Sequence, residues 1–356
     1  MVLDRGDGPG AGSTAKATGG FRAQFDTPIN VRMSLLAREK LRVFAEEIGV
    51  DPGYTRDGYL WIAESDATLD TLRSALRVQQ ENGLTEAEEI GAEDIARLNP
   101  AIPPAGIVGG TWCHTDGFIW PMQMLRGYLA AAERLGAKIE WGVEVSEITI
   151  AKGKATHLVT SRGDISVDSV VNAAGAWAGT LNRAAPDELP VVPLRRQVAV
   201  SVPTPTLPER MPMTIFADSG FHLRVRDGRV LLLWPSPPAP DNPFDLNVDE
   251  DWLPAVVALA REHVPSLRDL AIDRDACYAG LYEMSPDNHA ILGPSPSCDN
   301  LFFANGSSGH GVMHSPAIGQ LLAEIICDGV ASTLDVSALR PTRFAEGALN
   351  ASPALL

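Results

Sequence analysis

The sequence predicts a mixed α/β (α+β) fold made of two interleaved domains, and three observations point that way. Apolar residues at helical spacing alternate along the chain with short strand-like runs. Between Pro190 and Pro254 the character changes, and dense prolines separate strands. At 356 residues the chain exceeds what one core comfortably holds.

Val2–Leu3–Asp4 reads as a short strand ending in an acid, followed by a glycine-rich loop. Over Val31–Ile48, Val31, Leu35, Leu36, Val43, Phe44 and Ile48 fall near one face, with Gly49 at the C-cap position. Tyr59–Ala63 predicts a strand. Ala67–Asn82 and Gln123–Leu135 predict helices, closed by Gly83 and Gly136. Lys138–Trp141, Val145–Ile150, Ala155–Thr160 and Asp168–Asn172 predict a strand, a β-meander and a return strand. Gln197–Val202, Ala217–Val225 and Arg229–Trp234 read as strands, and Leu253–Val264 as a helix. Leu301–Ala304 predicts a strand that enters a glycine-rich turn. A helix over Pro316–Asp328 follows, with Ser315 as its cap and Pro316 at its first position.

Composition narrows the function. Hydrophobic residues are 45% and charged residues 21%, which excludes wholesale disorder. Asp+Glu is 45 against Lys+Arg 29, a formal charge of −16, which argues against nucleic acid and anionic membranes as partners. The longest apolar runs, such as Val230–Trp234, fall short of a membrane span. The opening lacks a basic stretch followed by an apolar one, so no signal peptide is expected. Four scattered cysteines without a CxxC predict free thiols and a cytoplasmic location.

Five segments could carry chemistry. The acid Asp4 ends the first strand, where dinucleotide folds hold a ribose; a frayed acidic terminus is the bland alternative. Gly10-Ala-Gly-Ser-Thr14 running to Gly19-Gly-Phe-Arg22 offers close backbone approach and a fixed cation, or else a flexible loop with a solvated arginine. Val170-Val-Asn-Ala-Ala-Gly-Ala-Trp177 carries a strand into a helix through small residues. Gly280-Leu-Tyr-Glu-Met-Ser-Pro-Asp-Asn-His-Ala-Ile-Leu-Gly293 gathers polar residues in a strand-like context. His289 there reads first as structural, and Tyr282 as core or as a hydroxyl in a cleft. Phe302–Pro316 sets a Gly/Ser loop before a helix start that favours an anion. Within it, His310-x-x-x-His314 is set aside as a metal site, because it falls in the predicted loop with no Glu between.

These segments, in this order, resemble the D-amino-acid oxidase-like family of FAD-dependent oxidoreductases. They look most like its glycine/sarcosine oxidase and sarcosine oxidase β-subunit branch. The strings "GSTAKATGGFRAQF", "VVNAAGAWAG", "PLRRQ", "AGLYEMSPDNHAILG" and "FANGSSGHGVMHSPAIG" carry the likeness. It implies a glutathione-reductase-like FAD domain (1–50, 120–185 and 290–345) interleaved with an antiparallel-sheet substrate domain (51–119 and 186–289). It implies that Asp4, Ser13, Thr14, Gly19, Gly20, Val145, Ala174, Gly175, Trp177, Gly309, Gly311, Val312 and Met313 hold the cofactor. By the same likeness Arg22, Tyr282 and His310 would serve the substrate, and no metal is implied.

Three departures shape the expectation. The sequence opens at what matches the family's second strand, so the first strand and its G-x-G-x-x-G turn are missing; a late start site is the simplest explanation. Gly280 stands where several relatives attach FAD through cysteine, with Cys277 offset by three, so FAD is expected to be non-covalent. After Lys154 the sequence has no lysine, whereas relatives fast with oxygen carry one on the hairpin that Arg229–Trp234 resembles. An electron carrier therefore rivals oxygen as the acceptor. The expected activity is hydride transfer from a small N-methylated or cyclic secondary amino acid to flavin, with a partner subunit possible. The alternative is a flavin-free remnant or non-catalytic subunit.

Overall fold

The structure, a computed structural model, describes residues 1–185, 187–235 and 241–351. Residues 186 and 236–240, inside the range expected for a substrate domain, lie outside the described residues. The helices are α1 (Pro28–Ile48), α2 (Asp66–Glu81), α3 (Ala92–Leu98), α4 (Pro121–Arg134), α5 (Ala178–Leu181), α6 (Trp252–His263) and α7 (Gly311–Asp328). The strands begin with β1 (Val2–Asp4), β2 (Gly20–Phe21), β3 (Tyr59–Ala63), β4 (Glu88–Ile90), β5 (Gly109–Cys113) and β6 (Gly117–Phe118). They continue with β7 (Ile139–Trp141), β8 (Val145–Ala151), β9 (Lys154–Thr160), β10 (Ile165–Ser166), β11 (Val170–Asn172) and β12 (Val192–Val200). The last are β13 (Met213–Phe216), β14 (His222–Arg226), β15 (Arg229–Leu233), β16 (Tyr278–Met284), β17 (Ile291–Pro294) and β18 (Leu301–Asn305).

The largest sheet runs β16-β12-β15-β14-β13-β3-β5-β4. It is mixed, not wholly antiparallel as expected, because β13 runs parallel to β3 where the chain re-enters beside an earlier segment. A second layer holds two parallel pairs, β1 with β7 and β11 with β18, and β17 adds antiparallel to β18. β8, β9 and β10 form the meander. α1 packs on α7 over β17, burying Met33, Phe44, Leu292 and Leu321. α6 covers the opposite face of the large sheet through Val256 and Ala260 against Phe221 and Leu232. Each such side chain larger than alanine contributes roughly 1.5–3 kcal/mol on burial.

Three boundaries differ from the sequence reading in ways that matter. α1 starts at Pro28, an N1 proline, three residues before Val31. Ala217–Val225 is not one strand. β13 ends at Phe216, and the chain turns through Gly220 at φ +73, where the Gly220 N–H donates to the Phe216 carbonyl at 2.8 Å. β14 then begins at His222. Asp218 and Ser219 are spent on that turn and on capping α2, with Asp218 accepting from the Ser65 hydroxyl at 2.6 Å. Finally, α7 starts at Gly311 and carries Pro316 inside it. Proline cannot donate to the carbonyl four residues back, that of Val312. The Ser315 hydroxyl donates there instead, at 2.9 Å, so the helix runs through.

Candidate active site

A cavity of about 1790 Å³ opens between the large sheet and the parallel pairs. It exceeds the roughly 300–1,000 Å³ of a small-ligand site, so it has room for a long ligand and a small one together. One end is bordered by β1, β8 and β11. The other is bordered by Arg22, Trp61, Arg196, His222 and Tyr282. The loop Gly309–Met313 lies along it.

β2 delivers Arg22 to the cavity. The guanidinium is 6% exposed and stacks over Phe25 at 4.2 Å and Trp61 at 5.1 Å. Nη1 donates to the Gln24 carbonyl at 3.0 Å, and Nη2 lies 3.4 Å from His310 Nε2. Among the described residues it makes no ion pair. Burial lowers its pKa, with Tyr59, Asp26 and Asp116 opposing from a distance. Asp116, fully buried behind this turn, accepts from the Ala23 N–H at 2.8 Å and the Gln24 N–H at 3.3 Å. Burial pushes its carboxyl up to about 7 against those bonds.

The α7 N-terminus supplies the second feature. His310 is its N-cap, and the His314 N–H to His310 carbonyl bond at 3.0 Å is the first of the helix. The N–H groups of Gly311, Val312 and Met313 therefore precede the helical ladder, on the cavity wall. Gly309 has φ +95, and a Cβ there would lie 2.4 Å from the Tyr282 ring. Only glycine lets the loop cross that ring. Tyr282 is 37% exposed at the wall. Its neighbour Glu283 leaves on the other face of β16. Oε1 accepts from the Ser307 N–H at 3.2 Å, and Oε2 is buried with no partner among the described residues.

At the far end, Asp4 Oδ1 accepts from the Gly6 N–H at 2.7 Å, and Val145 opens β8 at the wall. Ser13 donates its hydroxyl to the Leu281 carbonyl at 2.7 Å, and Thr14 begins a one-turn helix. Ala174 and Gly175 lead into a turn whose Trp177 stacks on Phe244 at 5.5 Å, with Arg5 over its ring at 4.1 Å. A Cβ at Gly19 or Gly20 would strike the Ile119 carbonyl or the Tyr59 hydroxyl, so the packing of the chain itself demands those two glycines.

The sequence reading missed Arg196, Lys16 and His222, all on the cavity wall. None has a local motif; only sheet register brings them in. His222 Nδ1 lies 2.9 Å from the Gly220 carbonyl, which can only accept, so Nδ1 carries the proton and Nε2 keeps its lone pair. Burial, helped by Arg22 and Arg196, pushes this histidine down to about 4. His289, read first as structural, does not border the cavity. It is fully buried, bonded through Nδ1 to the Asp287 carbonyl at 2.6 Å and through Nε2 to the Thr27 hydroxyl at 2.9 Å. His310 and His314 sit one turn apart at a helix start, not in a loop. His314 Nε2 is bonded to the Ser34 hydroxyl at 2.8 Å. Among the described residues no three metal-ligating side chains come together.

A family model described as "FAD dependent oxidoreductase" (DAO) matches residues 1–325. The chain belongs to the FAD dependent oxidoreductase family. Among curated relatives it is 29% identical over 390 residues to FAD-dependent oxidoreductase domain-containing protein 1 of Xenopus laevis, covering 97% of this chain and 76% of that one. It is 26% identical over 338 residues to the glycine oxidase of Geobacillus kaustophilus, covering 91% and 85%. The crystal structure of L-proline dehydrogenase from P. horikoshii superposes with a TM-score of 0.86 at 27% identity, covering 96% of this chain and 90% of that one.

The residues present fit the FAD that this family uses. The free α7 N–H groups suit the acceptor edge of a flavin ring. The Gly309 crossing keeps the wall flat. No helix among the described residues is long and apolar enough to cross a membrane.

Proposed function

We propose that this chain oxidises the C–N bond of a small secondary amino acid, N-methylated or cyclic. The observation that carries the reading is Arg22, a buried guanidinium on the cavity wall with no carboxylate partner among the described residues. An amino-acid carboxylate meets it with charge-assisted hydrogen bonds. The resemblance to an enzyme named for proline, whose amine is secondary, supports the substrate class.

In this reading Asp4, Val145, Ala174, Gly175, Trp177 and the Gly309–Met313 loop hold FAD, which supplies hydride-accepting chemistry. Arg22 and Tyr282 orient the carboxylate, and His310 braces Arg22. His222 Nε2 accepts the amine N–H and keeps the nitrogen lone pair directed along the breaking bond. The hydrogen on the carbon beside nitrogen would leave with the C–H electron pair, to be taken up by FAD, and the N–H proton would pass to water. The resulting imine takes up water to give a carbonyl compound and an amine. Because His222 is neutral, it does not repel the substrate nitrogen.

FAD attachment is non-covalent in this reading. None of the four cysteines borders the cavity, and Cys277 Sγ is turned to the Asp273 carbonyl at 3.3 Å. An electron carrier rivals oxygen as acceptor in this reading, because the β14–β15 hairpin carries no lysine. Lys16 is the lysine on the cavity wall among the described residues, and its Nζ lies over the Tyr278 ring at 5.7 Å. The test is anaerobic mixing of the yellow holoenzyme with N-methylglycine, proline, glycine and alanine. Bleaching of the flavin bands by the two secondary amines is expected. Bleaching only by primary amino acids, or by none, would contradict the reading.

A further inference from the structure

β12 sets two arginines side by side, and alternation sends them to opposite faces. Arg195 is saturated. Its Nη1 donates to Asp245 at 3.0 Å and to the Asn247 carbonyl at 2.8 Å, and its Nη2 to Asp249 at 2.5 and 2.6 Å. Arg196 emerges into the cavity beside the Tyr282 ring, 5.6 Å from its centroid. Among the described residues it has neither a carboxylate nor a hydrogen-bond partner. Tyr282 is felt electrostatically by both Arg22 and Arg196, and His222 by both as well. The two guanidiniums therefore converge on one end of the cavity. The carboxylates on the wall lie elsewhere. Asp4, Glu144 and Asp168 are at the β1 end, and Glu283 is held by Ser307 on the other face of β16.

A half-buried cation without a partner is unfavourable unless an anion arrives with the ligand. An α-amino acid brings one carboxylate, and Arg22 takes it. We infer that the substrate carries a second carboxylate, bound by Arg196 across Tyr282, so the enzyme acts on a dicarboxylic secondary amino acid. This rests on the substrate reading given above. The second carboxylate could sit on the nitrogen substituent or on the amino-acid side chain.

The test uses the holoenzyme and reads perturbation of the flavin bands by unreactive acids: acetate and butyrate against malonate, succinate and glutarate. At least one diacid is expected to bind about 10- to 100-fold more tightly than the monoacids. Arg196→Gln should collapse that ratio to near one, and Arg196→Lys should retain part of it. Turnover of N-(carboxymethyl)glycine against N-methylaspartate then tells which position bears the second group. Monoacids that bind with diacids no tighter would overturn this inference alone. Arg196→Gln that weakens both classes equally, or that loosens flavin, would also overturn it by making Arg196 a cofactor or fold residue. If neither class binds at all, the carboxylate site itself fails and the proposed function goes with it.

Discussion

Arg195 and Arg196 are neighbours on one strand, and they face two different regions. Behind the sheet, Arg195 is locked by Asp245 and Asp249, both from one loop of this chain. The same holds beside β17, where Arg343, with no exposure, pairs with Asp287, itself 1% exposed. On the cavity side, Arg22 and Arg196 meet aromatic rings and no carboxylate among the described residues. A chain with 45 acidic residues has carboxylates to spare, so the lack of one beside these two guanidiniums is selective. Paired buried arginines hold this fold together. The two unpaired ones on the cavity wall await an anion from outside, whereas Arg224, buried away from the cavity without a carboxylate among the described residues, spends its donors on the Thr18 and Val225 carbonyls.

Removing a paired arginine should therefore cost stability, and removing an unpaired one should cost function. The largest effect is expected at Arg343→Ala, which strands Asp287 in the core. Denaturant unfolding should show a loss of about 3–5 kcal/mol, and a loss below 1 kcal/mol would break the comparison. Arg22→Ala comes next. The KM for the amino acid should rise about 100- to 1000-fold with a smaller fall in kcat and little change in Tm. An unchanged KM would remove Arg22 from the site. Arg195→Ala should cost roughly 1–3 kcal/mol, less than Arg343 because Asp245 and Asp249 keep contact with water.

Acidity sharpens the same contrast. His222, with a folded pKa of about 4, is neutral in the fold but protonates in the unfolded chain below its ordinary value near 6.5. Its contribution to stability is thus lost as pH falls from about 6.5 towards 4. Asp116, raised to about 7, acts in the opposite sense. Its contribution is present below its ordinary carboxyl value and is lost as pH rises through about 7. Asp116→Asn should therefore gain Tm relative to the parent as pH goes from about 4 to 7, and a parallel pair of Tm curves would rule the shift out. The smallest effect belongs to Arg196→Gln, expected to leave stability unchanged or raise it by less than about 1 kcal/mol, because it removes a desolvated charge that has no partner.

Motif-bearing segments were legible in the sequence. The strings around Arg22, Tyr282 and Gly309–Met313 each combine small residues with one distinctive polar group, and all three border the cavity. The start of α7 was not legible, because Pro316 after Ser315 mimics a helix opening. Only the hydroxyl's bond to the Val312 carbonyl shows that the helix passes through it. Arg196 and His222 carry no local signal. They reach the site because β12 pairs with β16, placing Arg196 opposite Gly280, and because β14 pairs with β15, placing His222 opposite Leu233. Long-range register of that kind is not written in spacing. Nor could one sequence show which arginine of the Arg195–Arg196 pair had found a carboxylate.

The most direct test of the whole account is the visible absorption spectrum of the purified chain, taken before and after acid precipitation. The account predicts twin flavin bands that pass into the supernatant, which means FAD held without a covalent bond. Bands that stay with the pellet would contradict the non-covalent reading. A colourless protein that fails to quench the fluorescence of added FAD would contradict the claim that this cavity is a flavin site.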